Sequence, residues 1–291
     1  MTGTDIDNIN HVGMAVRDIH QTAARFERMG FSLTPFSAHA GALKQGDRIQ
    51  SFASGNRCVM FNDNYLEILA SEDPANPSPR IQAFLKHHQG GHIICFNTPD
   101  PGLVEQRFLS AGIKNSGVLP LQRDIETLEG VRTAKFERLQ FSPDSSPEGY
   151  IQAARHLTPE YIYQSRYTAH PNGCRALSEA VIITDDLQAF TDKYTRYLDR
   201  QPLRQEQTAT FEFACGTRLV LASIKRSPDL LPGTLLPPLP GIAAVTFDIP
   251  NLRSQRERLV QAGIPFASVG NRLIVPAEEA SGIAIIFESR P

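Results

Sequence analysis

Apolar residues in this chain gather in short runs, each followed by an amphipathic stretch, and the pattern occurs four times. The runs are 11–16, 92–96, 180–184 and 243–248. Runs this short and continuous read as buried strands. After each comes an Asp, Pro-Asp or Pro-Asn step and a stretch with helical spacing. In the first, Ile19, Ala23, Phe26 and Met29 recur on one face, so that face packs on a sheet. Asp18, Asp100 (or Thr98), Asp185 and Asn251 are suited to cap the helix starts. Gly30, Gly112 and Gly263 follow three of the helices, as a left-handed C-cap requires.

Further strand candidates follow each helix: 31–35, 49–53 and 58–69 in the first unit, and 203–207, 210–214 and 218–224 in the third. The unit is therefore strand, helix, three strands, which predicts an α+β fold of four βαβββ units. The stretch 156–173 carries prolines and a glycine and reads as a connector. It divides the chain into an N-terminal pair of units at 1–160, a connector at 161–176 and a C-terminal pair at 177–291. A second Pro-rich stretch, 231–240, links the third and fourth units.

The 291 residues suffice for about two domains. Lys and Arg total 29 against 31 Asp and Glu, a balance that argues against nucleic-acid or membrane-surface partners. No run approaches the roughly 18 apolar residues of a membrane span, and the first residues lack a basic region followed by an apolar core. Cys58, Cys95, Cys174 and Cys215 lie far apart with no C-x-x-C pair, so they do not read as a disulfide framework. The expectation is a reduced, cytoplasmic protein, monomeric or homodimeric, acting on a small molecule.

The candidate chemistry lies in three of the apolar runs. His11 opens one, His92 opens another, and Glu67 sits in a third, among Tyr65, Leu66, Ile68 and Leu69. A charge or an imidazole is costly in a buried strand. Two imidazoles and a carboxylate at neighbouring strand ends are what a divalent metal needs, and metal binding would offset that cost. Arg132 and Arg138 share a strand face with Phe136, and Arg155 lies nearby. If that face lines a cavity, it favours an anionic substrate. His87-His88 reads as a solvated loop and His39 as a surface residue. No phosphate-binding glycine loop and no nucleophile elbow occur.

The repeat, the start 11–18 (His-x-x-x-x-Val-x-Asp) and Gly91-His92-Ile93 resemble the vicinal oxygen chelate superfamily, which includes glyoxalase I, extradiol dioxygenases and bleomycin-resistance proteins. The stretches His-Leu-Thr-Pro-Glu (156–160) and His-Pro-Asn-Gly (170–173) resemble its glyoxalase-like members more specifically. The resemblance implies two tandem domains, each curling mixed sheets around a cavity. It implies a divalent ion (Zn, Ni, Mn or Fe(II)) held by His11, Glu67, His92 and a fourth ligand, Gln152 or His156. It implies a metal-dependent lyase or isomerase of glyoxalase type for a small carbonyl or hydroxy compound. Glu67 would be the base, and Phe136, Arg138 and Arg155 would bind substrate. Extradiol-type dioxygenation and non-catalytic sequestration are the alternatives. The C-terminal pair, whose matching positions fall near Ser178 or Glu179, at Val220 and near Ala243, with Glu288 as its one candidate carboxylate, reads as a metal-free copy.

Overall fold

The computed structural model describes residues 5–42, 44, 46–142 and 144–290. The first unit is β1 (Asn8–Ala15), α1 (Ile19–Arg28), β2 (Ser37–Gly41), β3 (Gln50–Met60) and β4 (Tyr65–Ser71). Helix α2 (Pro79–His87) leads to the second unit: β5 (Gly90–Asn97), α3 (Pro101–Ser110), β6 (Asn115–Thr127), β7 (Gly130–Phe141) and β8 (Tyr150–His156). Two single turns, α4 (Pro159–Ile162) and α5 (Ser165–Thr168), form the connector. The third unit is β9 (Ala176–Thr184), α6 (Leu187–Leu198), β10 (Leu203–Gln205), β11 (Thr208–Glu212) and β12 (Arg218–Ser223). After α7 (Ser227–Leu230) comes the fourth: β13 (Gly241–Asp248), α8 (Leu252–Gln261), β14 (Ala267–Val269), β15 (Arg272–Val275) and β16 (Ala284–Glu288).

Local chemistry accounts for the helix starts. The side chains of Asp18, Asp100, Asp186 and Asn251 accept first-turn N–H bonds, satisfying donors that the helix leaves open. The third cap is Asp186 rather than Asp185. The first strand after α1 also differs from expectation: 31–35 is irregular and the strand begins at Ser37. Phe31 is instead a core residue, packed on Phe247 and Phe287 of the fourth unit at 4.8 and 5.8 Å between ring centroids.

The strands of the first two units pair in the order β1-β4-β3-β2-β6-β7-β8-β5, and β5 pairs back to β1. They form a closed eight-stranded barrel. In the last two units the order is β14-β15-β16-β13-β9-β12-β11-β10, an open curved sheet, joined to the barrel where β13 meets β5. The outer faces of barrel and sheet share one apolar core with the helices, from Val12, Met14 and Phe96 to Phe247, Ile285 and Phe287. The inner faces differ. The concave side of the C-terminal sheet (Val181, Val220, Ala244, Ile274, Ile286) is filled by Ile224, Leu230, Leu231 and Leu236 from the segment joining the third and fourth units. The barrel interior instead sets polar and charged side chains among apolar ones such as Leu69, Ile93, Leu121 and Phe136.

Candidate active site in the N-terminal barrel

The repeat can be aligned by its helix caps. Seven residues before Asp18 stands His11, and seven before Asp100 stands Ile93, not His92. Strand register agrees. His11 lies beside Tyr65 and Gly13 beside Glu67 in the β1–β4 pair, while Ile93 lies beside Tyr150 and Cys95 beside Gln152 in the β5–β8 pair. Glu67 and Gln152 are thus equivalent positions, and His11 is matched by an isoleucine. Matching histidine to histidine slips the strand by one residue, which turns the side chain to the other face.

His92 accordingly faces away from Glu67. Its Nε2 bonds the backbone oxygen of His88 at 2.8 Å, and its ring packs on Phe84 and His88 at 4.7 and 4.1 Å. It borders a separate cavity with His87, His88 and Glu148. Arg155 also points elsewhere: it pairs with Glu137 at 2.6 Å and bonds the backbone of Pro99. Arg132 pairs with Glu129 near the tip of the β6–β7 hairpin. The barrel interior does bring together His11, Glu67, Phe136, Arg138, Gln152 and His156. It adds His39, Tyr65, Arg80 and Arg123, none of which sequence reasoning placed there. His39 sits at a register irregularity in β2 that gives no periodic signal. Arg123 follows Leu121 by two residues on β6 and shares its inward face, a period-two signal that could have been read.

Glu67 is the hub. Asn56 donates to its Oε1 at 2.5 Å, and Arg123 fixes Asn56 by donating to its Oδ1 at 2.7 Å. His39 Nε2 stands 3.5 Å from the same carboxylate oxygen, and His11 Nε2 stands 3.8 Å from the other. A chain of amides sets the tautomer of His11. Asp7, which can only accept, takes a bond from Asn97 Nδ2 at 2.9 Å. Asn97 Oδ1 then accepts from Asn10 Nδ2 at 3.2 Å, leaving Asn10 Oδ1 to face His11 Nδ1 at 2.8 Å. His11 therefore carries its proton on Nδ1 and turns a bare Nε2 lone pair toward Glu67.

Burial, with Arg123 and Arg80 nearby, pushes the His11 pKa down to about 3. Burial pushes His39 down to about 4 against the attraction of Glu67, and His156 down to about 3 with help from His11 and Arg123. All three imidazoles are neutral at pH 7. Two acceptors, His11 Nε2 and Glu67 Oε2, thus face each other with nothing positive between them. Nearby, the amide oxygen of Gln152 and Nδ1 of His156 are buried without a hydrogen-bond partner. This donor set of neutral imidazole, carboxylate and orphaned amide oxygen suits a borderline divalent ion in chemistry. As placed, no three His, Cys, Asp or Glu side chains among the described residues are grouped closely enough to hold one.

The C-terminal unit shows the contrast. Seven residues before Asp186 stands Glu179, and the position matching Glu67 is Val220, beside Val181. Glu179 is clamped by Arg218 at 2.9 Å and Arg272 at 3.5 Å, and Glu288 by Arg218, Arg272 and Arg290. Those carboxylates are fully engaged in structure. The connector motif is structural too. His170 Nε2 bonds the Met60 backbone oxygen at 2.8 Å and its Nδ1 accepts from Ser32 N–H, while Asn172 donates to Met29 O. The motif staples the connector to the barrel.

Comparison with known proteins agrees with this architecture. The glyoxalase-like domain family matches residues 9–198, a span that includes every barrel strand from Ile9 onward. No curated protein matches the chain. A hypothetical protein from Staphylococcus aureus superposes with TM-score 0.65 at 10% identity, covering 97% of this chain and 99% of its own. A mutant 4-hydroxymandelate synthase from Streptomyces coelicolor gives 0.61 at 11% identity, covering 99% and 94%. A xylose isomerase-like TIM barrel/4-hydroxyphenylpyruvate dioxygenase fusion protein gives 0.57 at 13%, covering 99% of this chain and 50% of the fusion. At these identities the likeness is one of fold. With the family match over most of its length, the chain belongs to the glyoxalase-like domain family of the vicinal oxygen chelate superfamily.

Proposed function

We propose that the N-terminal barrel is the active site of a glyoxalase-type lyase or isomerase acting on a small carbonyl or hydroxy compound. The observation that carries this reading is the opposition of His11 Nε2 and Glu67 Oε2 at 3.8 Å. Two buried acceptors facing one another are unfavourable unless a cation or a transferable proton stands between them. His11, Glu67 and Gln152 would hold a divalent ion (Zn, Ni, Mn or Fe(II)), with His39 and His156 adjacent. When bound, such an ion supplies Lewis-acid stabilisation of an oxyanion.

Glu67 is the base in this reading. Asn56 and His39 crowd its Oε1, so Oε2 would be the oxygen that, when not engaged by the ion, takes a proton from the carbon next to the substrate carbonyl. Arg123, acting through Asn56, holds the carboxylate in place. His11 keeps its Nδ1 proton on Asn10 and cannot compete for the substrate proton from that side. Tyr65 stacks on His11 at 4.6 Å between ring centroids and limits its rotation. The inner cavity, about 40 Å³, admits a reacting group rather than a whole molecule.

The test is solvent-deuterium incorporation into α-hydroxycarbonyl compounds, followed by proton NMR with the metal-reconstituted protein. Exchange catalysed by the wild type and reduced about 100-fold or more in Glu67→Gln supports the reading. Equal exchange in both proteins would remove Glu67 from the chemistry. The scattered donors also favour one other reading, a binding protein that sequesters its ligand without turnover. Tight binding with no exchange for any compound would select it.

A further inference from the structure

The barrel interior carries more positive charge than its own groups neutralise. Among its lining residues the cations are Arg80, Arg123 and Arg138, and the one carboxylate is Glu67. Arg123 is linked to Glu67 through Asn56. Among the described residues neither Arg80 nor Arg138 forms an ion pair with a carboxylate, and Arg80 feels Glu67 only at longer range. Arg138 is 7% exposed; it donates to the Tyr150 hydroxyl and to the Ala42 backbone oxygen, and its Nε is buried without a partner. Arg80 makes no hydrogen bond or ion pair among the described residues, and its Nε is likewise buried and unpartnered. Both guanidinium groups lean on one ring: their central carbons lie 4.5 and 6.0 Å from the Tyr150 centroid. Two like charges held this close, with open donors, leave room for a shared anion.

The same two arginines also line a second, larger cavity of about 420 Å³, with Phe52, Leu119, Tyr150 and Gln140. Arg80 and Arg138 therefore stand in the wall common to both spaces. Ser78 and Pro79 at the start of α2 line the larger one. That helix has no side-chain cap bond and no acidic residue in its first turn, where Arg80 stands instead. Its positive end adds to the field at the wall.

We propose that Arg80 and Arg138 form a carboxylate receptor at this wall, and that the substrate is an organic acid with an apolar body. Its body fills the larger cavity against Phe52 and Leu119, its carboxylate lies between the two arginines, and its reactive carbon extends toward Glu67. A carboxylate matches the planar donors of a guanidinium. A doubly charged phosphate would meet the Glu67 carboxylate in the same small space, so the singly charged head is favoured. This assignment of substrate class rests on the reading of the barrel as an active site.

The experiment is calorimetric titration of the metal-reconstituted protein with a panel of phenyl- and alkyl-substituted carboxylates of four to ten carbons. Each acid is paired with its primary amide, and phenyl phosphate is included. At least one acid is expected to bind tenfold or more tightly than its amide. Arg80→Gln is expected to remove that preference by weakening the acid tenfold or more relative to its amide, and Arg138→Lys, which keeps the buried charge but not the fork, to weaken the acid selectively. No acid binding better than its amide, or phenyl phosphate binding better than every acid, would overturn the proposal. So would an acid preference that survives Arg80→Gln and Arg138→Lys together. Glu67→Gln separates this claim from the one beneath it. Acids that still bind that variant but are turned over by neither protein leave the receptor standing and remove the enzyme. Turnover of neutral carbonyl compounds without acid preference does the reverse.

Discussion

In the proposed site, the protonation of a few side chains is set by their neighbours. Asp7, Asn97 and Asn10 pass a hydrogen-bond direction to His11. Such supporting bonds orient a reactive imidazole and fix its tautomer. Asn10→Leu should free the ring to turn and to exchange tautomers. Metal affinity is expected to fall about 10- to 100-fold with the fold intact. An Asn10→Leu protein with wild-type affinity would mean that the amide chain does not set His11. His11 and Glu67 were legible as single residues because a histidine and a carboxylate inside apolar runs need a reason. His39 was not, since nothing local distinguishes a histidine in a short, bulged strand from one on the surface.

At the scale of elements, the lesson is register. The four βαβββ units were legible in the sequence, because strand runs, helix caps and glycine stops recur in order. The cap residues also carried the correct alignment, and counting back from Asp18 and Asp100 places Ile93, not His92, opposite His11. The histidine match was misleading because a strand presents alternate residues to alternate faces. What the sequence could not show is which strands close the barrel, since the β2–β6 pairing joins segments far apart in the chain. Close strand contact explains Gly13. A Cβ there would meet Ile93 Cβ at 2.9 Å and Glu67 Oε2 at 3.1 Å. Gly13→Ala should cost about 1–3 kcal/mol in stability by overpacking and displace the Glu67 carboxylate. Denaturant melts and the deuterium-exchange assay check both effects. A variant with unchanged midpoint and rate would show that the contact relaxes freely.

At the scale of the molecule, two halves built alike have diverged by what fills them. The C-terminal sheet packs Leu231 and its neighbours into its concave face, whereas the barrel keeps three neutral histidines among arginines. The histidines make the fold sensitive to acid. The pKa values of His11 and His156 are held near 3 and that of His39 near 4 in the folded chain, against about 6.5 when unfolded. Below pH 6.5 the unfolded chain therefore binds more protons, and stability falls as pH drops toward 4. Each histidine adds a slope of about 1.4 kcal/mol per pH unit. Glu288 acts in the same direction. Burial alone would raise its pKa, but Arg272, Arg290 and Arg218 hold it below the ordinary value, so its contribution is lost only in stronger acid. Denaturant midpoints at pH 7.5, 6 and 5 should change little over the first step and decline steeply over the second, and less steeply in His39→Gln. A flat profile would contradict the neutral, buried state of these rings.

The most direct test of the central claim is metal content. The claim is that the functional centre lies at His11 and Glu67 inside the barrel, with His92 outside it. Elemental analysis of the wild type, His11→Ala and His92→Ala, each reconstituted with Zn, Ni, Mn or Fe(II) and desalted, should show about one ion per chain in the wild type and in His92→Ala. It should show none in His11→Ala. Metal lost from His92→Ala but kept by His11→Ala would contradict the account and restore the face of β5 that carries His92 as the binding surface.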